Sequence, residues 1–181
     1  MGYRFFKLEI DGIILIKPDI HYDSRGFFME SYTKKEFESG GIEEEFVQDN
    51  HSFSIKNTLR GLHYQIEPFQ QSKLVRCISG EIMDVAVDIR KGSKTFLKYV
   101  SVALSSENKN MLYIPKGFAH GFLVMSDYAE VIYKVDNYYS SDHERGIIWN
   151  DETIGIKWPV DNPIVSEKDR RLPKFQDIQG D

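Results

Sequence analysis

The run Leu59-Arg60-Gly61-Leu62-His63-Tyr64-Gln65, followed by Gln71-Ser72-Lys73-Leu74-Val75, brackets one imidazole with two cations, Arg60 and Lys73. An unperturbed histidine titrates at about pH 6.5, so at neutral pH it is mostly a free base able to take a proton from a carbon acid or a hydroxyl. A lysine nearby offers such a base its complement, a fixed positive charge where an oxyanion develops. The plainer account of His63 is a strand histidine serving packing or the surface. Tyr133, in Ala129-Glu130-Val131-Ile132-Tyr133-Lys134-Val135, shares a strand face with Val131 and Val135. Apolar company makes it a core tyrosine in the first instance, although a phenol on a cavity wall can also donate a proton. Arg25, in Asp23-Ser24-Arg25-Gly26-Phe27-Phe28-Met29-Glu30, carries a planar guanidinium suited to a phosphate, or is simply exposed. Lys168 and Asp169, within Ser166-Glu167-Lys168-Asp169-Arg170-Arg171, read as a solvated charge cluster. His21, His51 and His143 have polar neighbours and no ligand spacing, which puts them at the surface.

Short strands must hold these groups. Aromatics are abundant, with 12 Phe, 10 Tyr and 2 Trp, and apolar residues recur with period two between Gly, Asn, Ser and Pro clusters. The pattern predicts strands over 12–17, 27–32, 46–54, 73–79, 81–89, 96–104, 111–114, 121–125 and 129–137, as in a sandwich, jelly roll or barrel. One helix is predicted from Thr33, whose hydroxyl can cap the first turn while Glu36 completes a capping box, with Gly40 and Gly41 closing it. Beyond Tyr138 the pattern loosens, and Pro159, Pro163 and Pro173 exclude regular strand. In the 46–54 strand Gln48, Asn50, Ser52 and Ser54 share one face, and Val47, Asp49, His51, Phe53 and Ile55 the other. The polar face is either solvated or lines a polar cavity inside a barrel.

The chain has 181 residues, 41% hydrophobic and 28% charged, which fits a single soluble domain over 1–181. Lysines and arginines number 23 against 28 aspartates and glutamates, a formal charge of −5 without a basic block, and this disfavours nucleic acid as a partner. One cysteine, Cys77, and a start lacking a signal peptide or myristoylation pattern lead us to expect the cytoplasm. No apolar run approaches the roughly 20 residues that span a bilayer.

The segment Ile114-Pro115-Lys116-Gly117-Phe118-Ala119-His120-Gly121-Phe122 has the Pro-x-Gly-x-x-His spacing of the second motif of cupin barrels, whose histidine faces the lumen. Metal-binding cupins pair it with a His-x-His and a glutamate. Here the residue two beyond His63 is Gln65, so no metal is expected. Together with Asp23 to Glu30, Gln48-Asp49-Asn50, LRGLHYQ from Leu59, Gln71 to Val75, GEIMDVAVDIR from Gly80, GIIWND from Gly146 and Ser166 to Asp169, this segment closely resembles the dTDP-4-dehydrorhamnose 3,5-epimerase (RmlC) family over about residues 12 to 170.

That resemblance implies a mainly β, cupin-type jelly-roll barrel with a few short peripheral helices. It also implies a homodimer that exchanges N-terminal strands and a loop-rich C-terminal tail packed on the barrel. It implies a cofactor-independent isomerase acting on a dTDP-4-keto-6-deoxy sugar. Carried over by position, His63 resembles the base, Asp169 its orienting carboxylate, Lys73 the enolate stabiliser and Tyr133 the proton donor on the opposite face. Arg60, His120, Gln48 and Asn50 resemble residues gripping the pyrophosphate and sugar, with Asp49 in the same binding set. Arg25, Phe28 and Glu30 would serve a neighbouring subunit's site, Tyr138 would stack on thymine, and Glu144 and Lys168 would complete the shell. The competing readings are a single-centre epimerase, a non-catalytic sugar-nucleotide-binding cupin, and a metal-dependent cupin oxygenase.

Overall fold

The computed structural model describes residues 2–178. In chain order the strands are β1 (Tyr3–Lys7), β2 (Ile14–Pro18), β3 (His21–Asp23), β4 (Gly26–Phe28), β5 (Gln48–Ile55), β6 (Leu59–Gln65) and β7 (Lys73–Ser79). They continue as β8 (Glu81–Asp88), β9 (Tyr99–Ser105), β10 (Met111–Ile114), β11 (Phe118–Val124), β12 (Tyr128–Val135) and β13 (Glu144–Gly146). Helices α1 (Lys34–Ser39) and α2 (Glu167–Arg170) and a 3-10 turn at Phe175–Ile178 are peripheral. A six-stranded sheet runs β1-β2-β10-β7-β12-β5 and a five-stranded sheet β13-β6-β11-β8-β9, while β3 and β4 form a separate hairpin. The fold is a mainly β, cupin-type jelly-roll barrel.

The main core lies between the two sheets. Val75, Cys77, Leu112, Ile114, Ala129 and Val131 from one meet Ile82, Ala86, Val100, Leu104, Phe118, Phe122 and Val124 from the other. A second core covers the outer side of the six-stranded sheet, where Phe37 of α1 packs edge-on against Tyr3, Phe5 and Tyr32 at 5.0, 5.6 and 4.9 Å between ring centroids. A third buries Leu62, Val85, Val87, Ala119 and Ile147 under Ile154 and Phe175 of the C-terminal segment. Strands β8 and β11 are thus covered on both faces, and all seven residues of β11 are buried. With no polar face to alternate, the sequence pattern loses its period there; β11 therefore begins at Phe118 rather than at 121.

Other boundaries also differ from expectation. The strand expected over 27–32 ends at Phe28, and β1, β3, β6 and β13, which the pattern did not indicate, are present. Helix α1 lacks the expected capping box. The Thr33 side chain makes no cap bond; its hydroxyl donates to Glu30 Oε2 at 3.0 Å and lies 3.3 Å from the Tyr3 hydroxyl. Gly40 stays right-handed at φ −81°, and it is Gly41, at φ +89°, that takes the left-handed exit.

Candidate active site

Strand β5 presents Gln48 and Asn50 to the barrel interior, with Ser54 buried beneath, while Asp49, His51, Phe53 and Ile55 face outward. The polar face lines a cavity. It measures about 220 Å³ and is walled by Gln48, Asn50, Lys73 and Tyr133 from the six-stranded sheet and by His63, Tyr64, Gln65 and Glu144 from the five-stranded sheet, with Gln71 and Tyr139 from adjoining loops. His63 and Tyr133 therefore stand on opposite sheets and share one cavity. Tyr133 sits across the ladder from Asn50 and from Val75, and the Lys73 ammonium lies 6.0 Å from its ring centre.

His63 is fixed from behind. Its Nε2 lies 2.7 Å from Asp169 Oδ1, and the second carboxylate oxygen accepts the Gly61 N–H at 3.2 Å. This pairing stabilises the tautomer protonated at Nε2 and leaves Nδ1 as the basic atom. Asp169 is not part of a solvated cluster. Only 4% of it is exposed, and it occupies the first turn of α2, where its N–H is capped by Ser166 Oγ at 3.0 Å. Burial opposes its ionisation, but the hydrogen bond and charge of His63, with Gly61 and Ser166, hold its carboxyl below the usual carboxylate range.

The approach of Asp169 to β6 depends on a pair of glycines. Gly61 has φ +125°, and a Cβ there would come within 2.6 Å of Gly121 Cα and 2.8 Å of the His120 carbonyl oxygen. The β6–β11 ladder slips between His120 and Phe122 at this point, a bulge that re-aims His63. Gly61→Ala should cost about 1–3 kcal/mol of backbone strain and a similar amount from overpacking. A thermal melt within 2 °C or so of the native protein would refute this account of Gly61.

Lys73 is enclosed in the cavity, and its pKa falls to about 8 because burial disfavours the ammonium more than Asp84 and Glu144 restore it. Burial likewise raises the Tyr133 phenol, with Arg60 opposing and Glu144 reinforcing, so the hydroxyl keeps its proton at neutral pH. Glu144 accepts a hydrogen bond from the Tyr139 hydroxyl at 2.6 Å and pairs with Lys168. Arg60 lies at the rim, its Nε donating to Ser54 Oγ at 2.9 Å and its terminal nitrogen to the Phe53 carbonyl at 3.2 Å. His120, 6% exposed, sits beneath the cavity rather than on its wall, with Nε2 2.7 Å from Asp84 Oδ1.

The remaining candidates lie elsewhere. Asp49 points outward to Lys134 at 2.9 Å. Arg25 is an exposed residue of the β3–β4 turn, bound to Asp23 at 2.6 Å, and Phe28 is exposed on the same hairpin. Glu30 is held by Thr33. The Tyr138 ring is exposed, and it is Tyr139 that lines the cavity. Sequence reasoning missed Tyr139 and Gln71. Gln65, noted in the sequence only as a missing ligand, ties their two loops together: its amide donates to Phe69 and Tyr138 carbonyls at 2.6 and 3.2 Å and accepts from Ser140 N–H at 2.7 Å. His21 and His51 are exposed as expected. His143 is instead half-buried, with Nδ1 2.8 Å from Ser140 Oγ and its ring 4.5 Å from that of Phe69.

The family model described as dTDP-4-dehydrorhamnose 3,5-epimerase matches residues 7–177. A protein of that name from Shigella flexneri is 58% identical over 172 residues, covering 94% of this chain and 95% of its own. The crystal structure of the Bacillus anthracis dTDP-4-dehydrorhamnose 3,5-epimerase, with TDP and PPi bound, superposes with a TM-score of 0.94 at 46% identity, covering 96% of this chain and 100% of that one. The Legionella pneumophila dTDP-6-deoxy-D-glucose-3,5-epimerase RmlC, in complex with dTDP-4-keto-L-rhamnose, has a TM-score of 0.94 at 45% identity over 98% of this chain and 95% of that one. A match unbroken from one end of the barrel to the other, at this level of identity, makes the chain a member of the dTDP-4-dehydrorhamnose 3,5-epimerase family.

Proposed function

We propose that the protein is a dTDP-4-dehydrorhamnose 3,5-epimerase, inverting C3 and C5 of dTDP-4-dehydro-6-deoxy-D-glucose to give dTDP-4-dehydro-L-rhamnose. The observation that carries this reading is the opposition of a carboxylate-backed imidazole and a protonated phenol across one cavity that also holds a lysine. The C4 ketone acidifies the hydrogens on C3 and C5. His63 Nδ1 takes a proton from one of these carbons, and the C–H electron pair passes to the C4 oxygen as an enolate. The Lys73 ammonium stabilises that oxyanion, and Tyr133 returns a proton to the carbon from the opposite face, which inverts the centre. Asp169 stabilises the imidazolium in the interval. His63 and Tyr133 then exchange protons with solvent.

The cavity, at about 220 Å³, takes a hexose ring rather than a whole nucleotide sugar. The pyrophosphate would cross the rim at Arg60, the sugar would meet Gln48 and Asn50 with His120 beneath them, thymine would stack on Tyr138, and Glu144 and Lys168 would close the shell. We assign Arg25, Phe28 and Glu30 to the site of a neighbouring subunit in a homodimer. An isolated two-stranded hairpin with Tyr22, Phe27 and Phe28 exposed calls for such a cover. A monomeric mass at assay concentration would overturn that assignment. Cys77, buried and unpaired, fits a reducing compartment, and we assign the enzyme to the cytoplasm.

The test is proton NMR of the keto sugar in deuterium oxide with purified protein. Deuterium should wash into both C3 and C5. Exchange at one carbon alone indicates a single-centre epimerase, and tight binding without exchange a sugar-nucleotide-binding protein.

A further inference from the structure

Asp84 in β8 is fully buried, and its inward-facing neighbours along the strand, Ile82 and Ala86, belong to the main apolar core. Oδ1 is 2.7 Å from His120 Nε2, whereas Oδ2 has no hydrogen-bond donor among the described residues. A half-satisfied carboxylate among aliphatic side chains is unfavourable in itself, and a hydrophobic residue would serve packing better. His120 lies across the β11 ladder from Ala86 and across the β6 ladder from His63, so Asp84 reaches it on the diagonal, directly below the catalytic layer.

The groups around Lys73 are Tyr133 from β12, Gln48 and Asn50 from β5, His63 from β6, His120 from β11, Glu144 from β13 and Asp84. The acids are Asp84 and Glu144. Glu144 is already engaged by Lys168 and Tyr139, while Asp84 keeps an oxygen uncommitted. We propose that Asp84 is a positioning residue of the active site, fixing His120 through Oδ1 and supplying, as a buried carboxylate, the counter-charge that keeps Lys73 an ammonium. His120, whose burial outweighs the pull of Asp84 and keeps its pKa low, then donates Nε2–H to Asp84 as a neutral ring and cannot neutralise it.

This inference rests on the epimerase reading, and the pH dependence of exchange tests it. Lys73 must be protonated to act, so activity is lost as pH rises through its pKa. Removing the nearby negative charge moves that loss to lower pH. In Asp84→Asn the alkaline limb of kcat should fall by about one pH unit, with activity at pH 8 down about fivefold and KM changed less than about threefold. Asp84→Glu, which keeps the charge, should leave the limb in place. An alkaline limb in Asp84→Asn coincident with the wild-type one, whatever the rate, overturns the proposal. Should that variant not fold, infrared spectra of the native enzyme labelled with carboxyl-carbon-13 aspartate decide. No protonated aspartic acid band is expected at pH 7, and finding one overturns the proposal. Wild-type protein without any exchange would instead sink the epimerase reading itself.

Discussion

His63→Asn should abolish solvent exchange at both C3 and C5 and lower kcat by about 10²- to 10⁴-fold, the usual contribution of a positioned general base, with little change in KM. The effect falls on both carbons because one imidazole faces the cavity from the five-stranded sheet, and the C4 ketone activates both neighbours equally. Tyr133→Phe should behave differently, sparing exchange at one carbon or both, because abstraction by His63 does not need the phenol. The His63 change also reaches Asp169. Deprived of the imidazole, the buried carboxylate keeps Gly61 and Ser166 as donors but loses the hydrogen bond and charge that outweigh its burial. Its native pKa is depressed, so it contributes stability above its unfolded pKa, and that contribution is lost as pH falls through the native value. In His63→Asn the native value rises toward the unfolded one, and the stabilising increment shrinks. The variant should melt about 1–3 kcal/mol less stable at pH 7, with a smaller loss on acidification below about pH 4. Full activity in His63→Asn would refute the base assignment, and exchange confined to one carbon would show that a second base serves the other.

Lys73, Tyr133 and the β5 amides were legible because they sit in strands whose alternation is readable, whereas Arg60 and His63 stood out by residue type alone, β6 not being among the expected strands. On β5, Gln48, Asn50, Ser52 and Ser54 fall on one face by period alone, and the Gln48–Asn50 end of that face is part of the cavity wall. What period could not say was which way the face turned, since a solvated strand and a barrel-lining strand alternate alike. Asp169 was misread as part of a charge run because its role depends on contact with His63 across 106 positions. One local signal did separate it from its charged neighbours. Ser166 stands three residues before it, the spacing of a helix N-cap, and that cap turns Asp169 inward while Arg170 and Arg171 stay exposed. Thr33 carried the same kind of signal and made no cap, since its hydroxyl is drawn to Glu30 and Tyr3 by a tertiary contact that the pattern cannot contain. Tyr139 went unseen beside Tyr138 because the loop that aims it is set by the Gln65 side chain.

Lys73→Met should separate activity from stability in opposite directions. Methionine nearly matches the lysine stem in length and removes only the charge. Without the ammonium the enolate forms in a buried site lacking its preorganised cation, a loss of about 3 kcal/mol in the transition state, or roughly 10²- to 10³-fold in kcat. The folded state responds the other way. The native pKa of Lys73 is about 8 against an ordinary 10.5, so folding penalises its charged form. That penalty is present in full below about pH 8 and fades as pH rises toward 10.5, since over that interval the unfolded chain binds the proton that the native one has released. Wild-type protein should therefore gain stability between these values, while the variant, having no such group, should not. At pH 7 Lys73→Met should melt higher than wild type, and the two curves should converge by about pH 10, the pattern expected where a site is kept reactive at the expense of the fold. A drop in rate smaller than tenfold would remove Lys73 from the chemistry. A lower melting temperature at pH 7 would mean that Asp84 and Glu144 stabilise the ammonium by more than its burial costs.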